Sequence, residues 1–151
     1  MNIWEFQRVL SQRLIAWNLF NFAAGFWLSA RGDFWRGFGS QHIGWSVINF
    51  AIAFFGLRAN SRRILQPDIH DPAVMRRESR KLRLILWVNS GLDLLYMLGG
   101  FRLARRSASK PMLRGIGWGI VLQGALLFAF DVLHAPRVPH EPVTGNAVQQ
   151  D

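Results

Sequence analysis

Residues 84–101 read LILWVNSGLDLLYMLGGF, and Asp93 is the only charged residue among them. An apolar run of this length is close to the ~20 residues with which an α-helix crosses a bilayer. Strands of membrane barrels are about ten residues long and alternate strictly between apolar and polar residues, which this stretch does not do. The stretch therefore predicts a transmembrane α-helix.

Three other stretches share this character: residues 14–30, 37–57 and 115–133. The four stretches contain only Asp93 and Asp131 as charged residues, although the chain has 18 Lys+Arg and 9 Asp+Glu. A soluble domain would spread its charges along amphipathic helices or strands instead. The sequence thus predicts an all-α fold, a four-helix transmembrane bundle formed by residues 1–135. It excludes an ordinary soluble enzyme and, because the chain has no Cys, a disulfide scaffold.

The basic residues predict the orientation of this bundle. Eleven Lys and Arg lie on the side that holds both termini and the connection between the second and third stretches, and seven lie on the other side. Because the more basic side of a membrane protein stays in the cytoplasm, both termini are expected there, with the bundle in a bacterial inner membrane. Residues 136–151 are polar and contain Pro, and we expect a disordered cytoplasmic tail.

The basic segment before the third stretch has two interpretations. It either contacts anionic lipid head groups or serves only as an orientation signal. Nucleic acid is not an expected partner, because that would need a soluble basic domain with elements that read bases. The basic residues of the segment are Arg76, Arg77, Arg80, Lys81 and Arg83.

Two local patterns predict where helices begin. Apolar residues at helical spacing in residues 1–13 predict either an interfacial lead-in or simply the first turns of the first helix. Asp71-Pro72 is typical of an N-cap followed by proline at the first helical position, so the third helix is expected to start near Pro72.

Short similarities suggest that the helices form two related pairs. Residues 43–47 read IGWSV, and residues 116–120, which lie 73 positions later, read IGWGI. Trp17 and Trp87 lie at similar places in the first and third stretches, and each is followed closely by Asn. Each unit holds two spans, so both enter the membrane in the same direction. The pattern predicts two parallel two-helix repeats.

Every predicted helix carries amide or acid side chains near its middle, and these are expected to face the interior as one polar network. A carboxylate at the centre of a membrane costs ~2.5–3.5 kcal/mol, so Asp93 dominates this group. It is either a proton or cation site or a neutral acid in a structural hydrogen-bond network, and the sequence does not decide between them. The candidate network comprises Asn21, Asn49, Asn89, Asp93 and Gln123, with His42 and Asp131 as secondary candidates.

Small residues are expected to pack the helices together. Without water to drive apolar surfaces together, membrane helices associate through small residues and interhelical hydrogen bonds. Gly115 and Gly119 form a GxxxG pattern, and Ser40 with Gly44 forms a looser equivalent.

Chemistry-bearing clusters are absent from the sequence. No set of Cys, His or carboxylates has metal-ligand spacing, and His42 and His134 are expected at opposite faces, which disfavours haem. No catalytic triad falls at a common depth. We therefore expect neither an enzyme nor a cofactor.

Several segments resemble an uncharacterised family of small bacterial four-helix membrane proteins. They are WVNSGLDLLY at residues 87–96, GIG at 115–117 and QGALLFAFD at 123–131, together with Trp45-x-x-x-Asn49. The resemblance covers about residues 17–131. It implies a domain of unknown function with Asn89, Asp93, Gln123 and Asp131 at its pattern positions, and it brings no known activity, cofactor or substrate.

Two functions are compatible with these observations. The lack of catalytic groups and the small-residue faces favour a non-enzymatic scaffold or accessory subunit, which packs with itself or with a larger membrane complex. The alternative is a small proton-coupled transporter or carrier that acts as a homodimer around Asp93. A scaffold is expected to have a filled interior, whereas a carrier needs a cavity that reaches one face.

Overall fold

The computed structural model describes residues 1–140 and forms an all-α four-helix bundle. Tight turns join the first helix to the second and the third to the fourth, so each pair is an antiparallel hairpin, and a longer connection links the two hairpins. The helices are α1 (Ile3–Ser29), α2 (Asp33–Arg63), α3 (Pro72–Arg106) and α4 (Pro111–His134), followed by a 3-10 turn at Ala135–Arg137.

Local signals set the starts of the helices. Before α1, the Asn2 side chain accepts a hydrogen bond from the Glu5 backbone N–H at 2.9 Å, and the Glu5 carboxylate accepts one from the Asn2 N–H at 3.3 Å. This reciprocal pair is a capping box. The predicted start of α3 is confirmed, because Asp71 caps the helix and Pro72 occupies its first turn. The turn before α2 requires Gly32, whose φ of 125° disfavours any residue with a side chain.

Helices α2 and α4 pack together at the centre, with α1 beside α2 and α3 beside α4. The central approach is close because a side chain at Gly37 would collide with the Met112 carbonyl, and one at Gly115 would collide with the Phe34 carbonyl. These two contacts are equivalent under a shift of 78 residues, from 37 to 115 and from 34 to 112. The two hairpins therefore meet through a quasi-twofold contact.

The register of this contact differs from the one that the IGW tripeptides predict. Under their shift of 73 residues, Gly44 corresponds to Gly117. Gly117 lies against the backbone of Gly100 and Ala104, whereas Gly44 has open space around it. The tripeptides therefore occupy different environments, and the internal repeat stays a prediction.

The bundle is polar inside and apolar outside. Phe26 and Leu95 are 71% and 64% exposed, whereas Gln123 is 2% exposed. A soluble bundle would place such apolar faces in its core. Within residues 1–140, three helices are long and apolar enough to cross a membrane, namely α2, α3 and α4 with its 3-10 extension. Both observations indicate a membrane protein.

Helix α1 differs from the predicted four spans, because it is not among the helices that are apolar enough to cross a membrane. It nevertheless follows α2 closely: Gly25 packs against Gly39, and the Trp4 carbonyl accepts a hydrogen bond from the Asn60 amide at 2.9 Å. The helix is continuous from Ile3, so residues 1–13 provide its first turns rather than a separate segment. Its apolar run is interrupted by Trp17, Asn18, Asn21 and Trp27.

An apolar cluster closes the end of the bundle that holds the N-terminus and the end of α4. Ile3 is 0% and Val138 is 1% exposed, although they lie near opposite ends of the described chain. Arg83 also donates a hydrogen bond to the Val138 carbonyl at 3.1 Å. The predicted disordered tail therefore does not start at Pro136, because the packing of Val138 orders residues 135–138. The rest of that tail, residues 141–151, lies outside the described residues.

Candidate functional site

Three polar side chains meet at the centre of the bundle. Asn21, His42 and Gln123 come from α1, α2 and α4, and all are buried. Gln123 Nε2 donates to Asn21 Oδ1 at 3.1 Å, and His42 Nδ1 lies 2.9 Å from Asn21 Oδ1 and 2.6 Å from Gln123 Nε2. A protonated Nδ1 donates to Asn21, and an unprotonated Nδ1 accepts from Gln123. The His42 tautomer therefore selects the hydrogen bonds that join these three helices.

Asp93 of α3 lies at the same depth as this triad. Its backbone carbonyl faces Gly124, the residue next to Gln123. Asp93 is 5% exposed, and its Oδ2 has no hydrogen-bond partner among the described residues. Ionisable groups buried in membranes are commonly paired or belong to ion and proton pathways. Asp93 is thus the least satisfied polar group of the predicted network.

Buried polar side chains continue from Asp93 towards the end that holds the N-terminus. Asn18 donates to the Leu14 carbonyl at 2.7 Å and is satisfied within its own helix, whereas Ser46 Oγ has no partner in the described part of the chain. We call this group the polar column. Its members beyond the central triad and Asp93 are Asn18, Ser46, Asn49, Ser90 and Asp131.

The structure places the other sequence candidates differently. Asn89 is exposed on α3, one turn before Asp93, and makes no hydrogen bond with the triad. Gly115 and Gly119 are buried against α2, as a packing role requires. The Ser40 hydroxyl donates to a carbonyl of its own helix at 2.7 Å. Gly44 is exposed and takes no part in helix packing.

A cavity of about 470 Å³ opens between α1, α2 and α3 at the end with the N-terminus. It exists because α1 and α3 hardly touch, while α2 presents small residues on this side. Phe130 and Asp131 of α4 also line it. Its apolar lining includes Leu10, Leu14, Ile52, Ala53, Ile85 and Leu86.

Asp131 is the deepest charged residue of the cavity lining. His134, one turn later on α4, lies 3.3 Å from Arg13, so Asp131 lies about one turn deeper than Arg13. Asp131 is 7% exposed, and it belongs to neither the Arg36–Asp33 nor the Arg63–Asp68 ion pair.

The outer part of the cavity is lined by Arg63, Glu78 and Lys81. The Arg63 guanidinium donates two hydrogen bonds to Asp68, at 2.7 and 2.8 Å. This contact lowers the pKa of the Asp68 carboxyl below its usual value. Glu78 and Lys81 are one turn apart on α3 and carry opposite charges.

Sequence reasoning missed the cavity and placed His42 in a secondary role. A signal for the cavity exists in α2, where Ala53, Gly56 and Ala59 recur every three residues and all line it. His42 could not be assigned to the centre from its position, because the tilt and register of α2 against α1 decide its neighbours.

The comparisons with known proteins agree with this architecture. Residues 13–132 match a family of unknown function, DUF6992. The chain belongs to this family. The DUF6992 match confirms the resemblance to an uncharacterised family and covers all four helices in part or whole. No curated protein and no solved structure matches the chain.

Proposed function

We propose that this DUF6992 protein is a non-enzymatic protein of the bacterial inner membrane, a small proton-coupled carrier that acts as a homodimer around Asp93. The observation that carries the proposal is the cavity, which leads from one end of the bundle to Asp131 and the polar column. The sequence alone favours a scaffold. A cavity that reaches one face supports the carrier instead, since a scaffold gains nothing from leaving buried acids beside an open space.

Asp131 and Asp93 supply two proton-binding positions in this proposal. Asp131 takes up a proton from the cavity, and Asp93 lies about two helical turns further inward, or about 10 Å along the bundle. Ser46 and Ser90 lie between these depths and offer hydroxyl groups for proton transfer. The two tautomers of His42 provide a means of passing a proton beyond Asp93 without moving a helix.

A homodimer is proposed because four helices alone leave little room for a complete pathway. On α3, Gly91 and Gly99 are exposed and have open space around them. Small residues at such positions let a neighbouring membrane helix approach closely.

The carrier is tested by proton movement in liposomes that contain the purified protein and a pH-sensitive dye. An imposed membrane potential should drive proton uptake through the wild type, and Asp93→Asn should reduce it to the rate of empty liposomes. Asp33→Asn removes an exposed acid outside the column and should leave the rate unchanged. Equal rates for wild type and Asp93→Asn would refute the role of Asp93.

A scaffold or accessory subunit is the second candidate. It is supported by the half of the bundle beyond the central triad, where Gly25, Gly37, Gly100, Gly115 and Gly117 all meet backbone atoms of another helix. A scaffold should purify in mild detergent with a membrane partner at fixed stoichiometry. A protein that carries protons without any partner would exclude this candidate.

Anionic lipids are proposed to contact the first turns of α3. Arg77, Arg80 and Lys81 are exposed there, close to the expected head-group region. Native mass spectrometry should show more bound phosphatidylglycerol than phosphatidylcholine from mixed vesicles. The triple change of these residues to Gln should abolish that preference, and a preference that survives it would place the lipid elsewhere.

A further inference from the structure

We propose that the cavity between α1 and α3 binds hydrophobic organic cations. This inference names the substrate class of the carrier proposed above and rests on that proposal. It is carried by the juxtaposition of an apolar lining with one buried acid, Asp131, whose charge no nearby cation balances.

The size and lining of the cavity match a compact apolar molecule. Its volume of about 470 Å³ is within the ~300–1,000 Å³ of sites that enclose a drug-sized ligand. Leu10, Leu14, Ile85 and Leu86 supply apolar contacts from two helices. Burial of a ligand's apolar surface against these residues would provide most of the binding free energy.

The charges of the lining select a cation. Arg63 is neutralised by Asp68, and Lys81 lies one turn from Glu78 on the same helix. Asp131 is therefore left as the uncompensated charge, and it is 93% buried if its exposed fraction of 7% is subtracted. Removing a carboxylate from water is costly unless an opposite charge accompanies it, which a bound cation would supply.

An aromatic residue of the lining already accepts a cation. The Arg63 guanidinium lies 5.7 Å from the centre of the Trp4 ring, within the range of a cation–π contact. Phe130, next to Asp131, adds a second ring to the lining. An apolar cation with delocalised charge would meet both kinds of attraction, whereas an anionic amphiphile would meet Asp131 as a repulsive group.

The inference is tested by isothermal titration of tetraphenylphosphonium into the full chain in zwitterionic nanodiscs, with the heat of empty nanodiscs subtracted. One saturable site per chain is expected. Asp131→Asn should weaken binding about tenfold or more, because each lost factor of ten equals about 1.4 kcal/mol of binding free energy. Asp33→Asn removes an exposed acid outside the cavity and should bind like the wild type.

A second variant tests the cavity without changing its charge. Gly56 lines the cavity, and a Cβ there would meet only the Ser11 hydroxyl at 3.7 Å. Gly56→Leu should therefore fold, as judged by size-exclusion chromatography, and should abolish tetraphenylphosphonium binding. Unchanged binding in either Asp131→Asn or Gly56→Leu would overturn the proposal.

The matching anion separates this proposal from a lipid site. Tetraphenylborate has the same shape and the opposite charge, and no saturable binding of it is expected. Stronger binding of tetraphenylborate would overturn the cation proposal and identify an anionic-lipid site. Cation binding without any proton movement in liposomes would refute the proposed carrier and leave the cation site intact, so the two failures are distinguishable.

Discussion

At the scale of single residues, the central polar groups differ in how well they are satisfied. Gln123 contacts both Asn21 and His42, whereas Asp93 Oδ2 has no partner among the described residues. Stability and function should therefore depend on different members of the network.

Gln123→Leu should destabilise the protein more than Asp93→Asn does. The Leu variant loses the interhelical contacts of Gln123, each worth about 0.6 kcal/mol in membrane proteins, so about 1 kcal/mol is expected in total. Asp93→Asn removes a charge that the interior does not compensate, and its thermal stability in detergent should hold or rise. Thermal unfolding of both variants checks this, and a larger loss for Asp93→Asn would show that the Asp93 carboxyl is held by a partner.

The Asp68 carboxyl provides a prediction on pH outside the membrane. Its hydrogen bonds from Arg63 lower its pKa, so the contact stabilises the fold above the unfolded-state pKa and is lost as the pH falls through the folded-state pKa. Because the pair is exposed, the effect on stability should be small. A carboxyl-detected NMR titration should give a midpoint below the model value of 3.8, and a midpoint at or above it would show that the pair does not persist.

The sequence predicted residues of this kind only up to a point. Asn21, Asp93 and Gln123 could be assigned to the interior because no polar group at mid-depth is easily placed in lipid. Asn89 could not be excluded, since it lies one turn from Asp93 and only the rotation of α3 exposes it. Hydrogen-bond partners depend on helix register, which a single sequence does not encode visibly.

At the scale of helices, glycines have unequal roles. Gly115 lies where a side chain would collide with the Phe34 backbone, and Gly44 lies in open space. The two positions form a matched pair, because both are glycines inside apolar helices. The helix boundaries were largely predictable from the runs and caps, whereas the choice of the packing glycines was not.

Gly115→Ala should destabilise the bundle by about 1–3 kcal/mol, because overpacking forces the α2–α4 contact apart. Gly44→Ala should stabilise it by up to about 1 kcal/mol, because alanine favours the helix and meets no neighbour. Thermal unfolding in detergent measures both changes. If both variants behave alike, the close contact of α2 with α4 is not present in the membrane.

At the scale of the whole molecule, both hairpins present their ends to the same side. Three of the four helices were identifiable as membrane-spanning from hydropathy, and α1 is carried alongside α2 by its packing. Composition could predict this architecture because lipid imposes one rule on every outer face. The cavity depends on the gap between α1 and α3, and no composition reveals such a gap.

Cysteine labelling tests the orientation, since the chain has no native Cys. Ser61 and Ser109 are exposed at opposite ends of the bundle. Cysteine at Ser61 should be labelled only after the inner membrane is permeabilised, and cysteine at Ser109 should be labelled from the periplasm of intact spheroplasts. The reverse pattern would invert the proposed topology.

The contact between Asn21 and Gln123 has a consequence for biosynthesis, because it joins residues 102 positions apart. At about 5–20 residues per second, the ribosome needs about 5–20 s to add the second partner after the first. His42 arrives much earlier and offers Asn21 an interim hydrogen bond within the first hairpin. The first hairpin can thus enter the membrane with its amide satisfied, and the last helix completes the interior when it is released from the translocon.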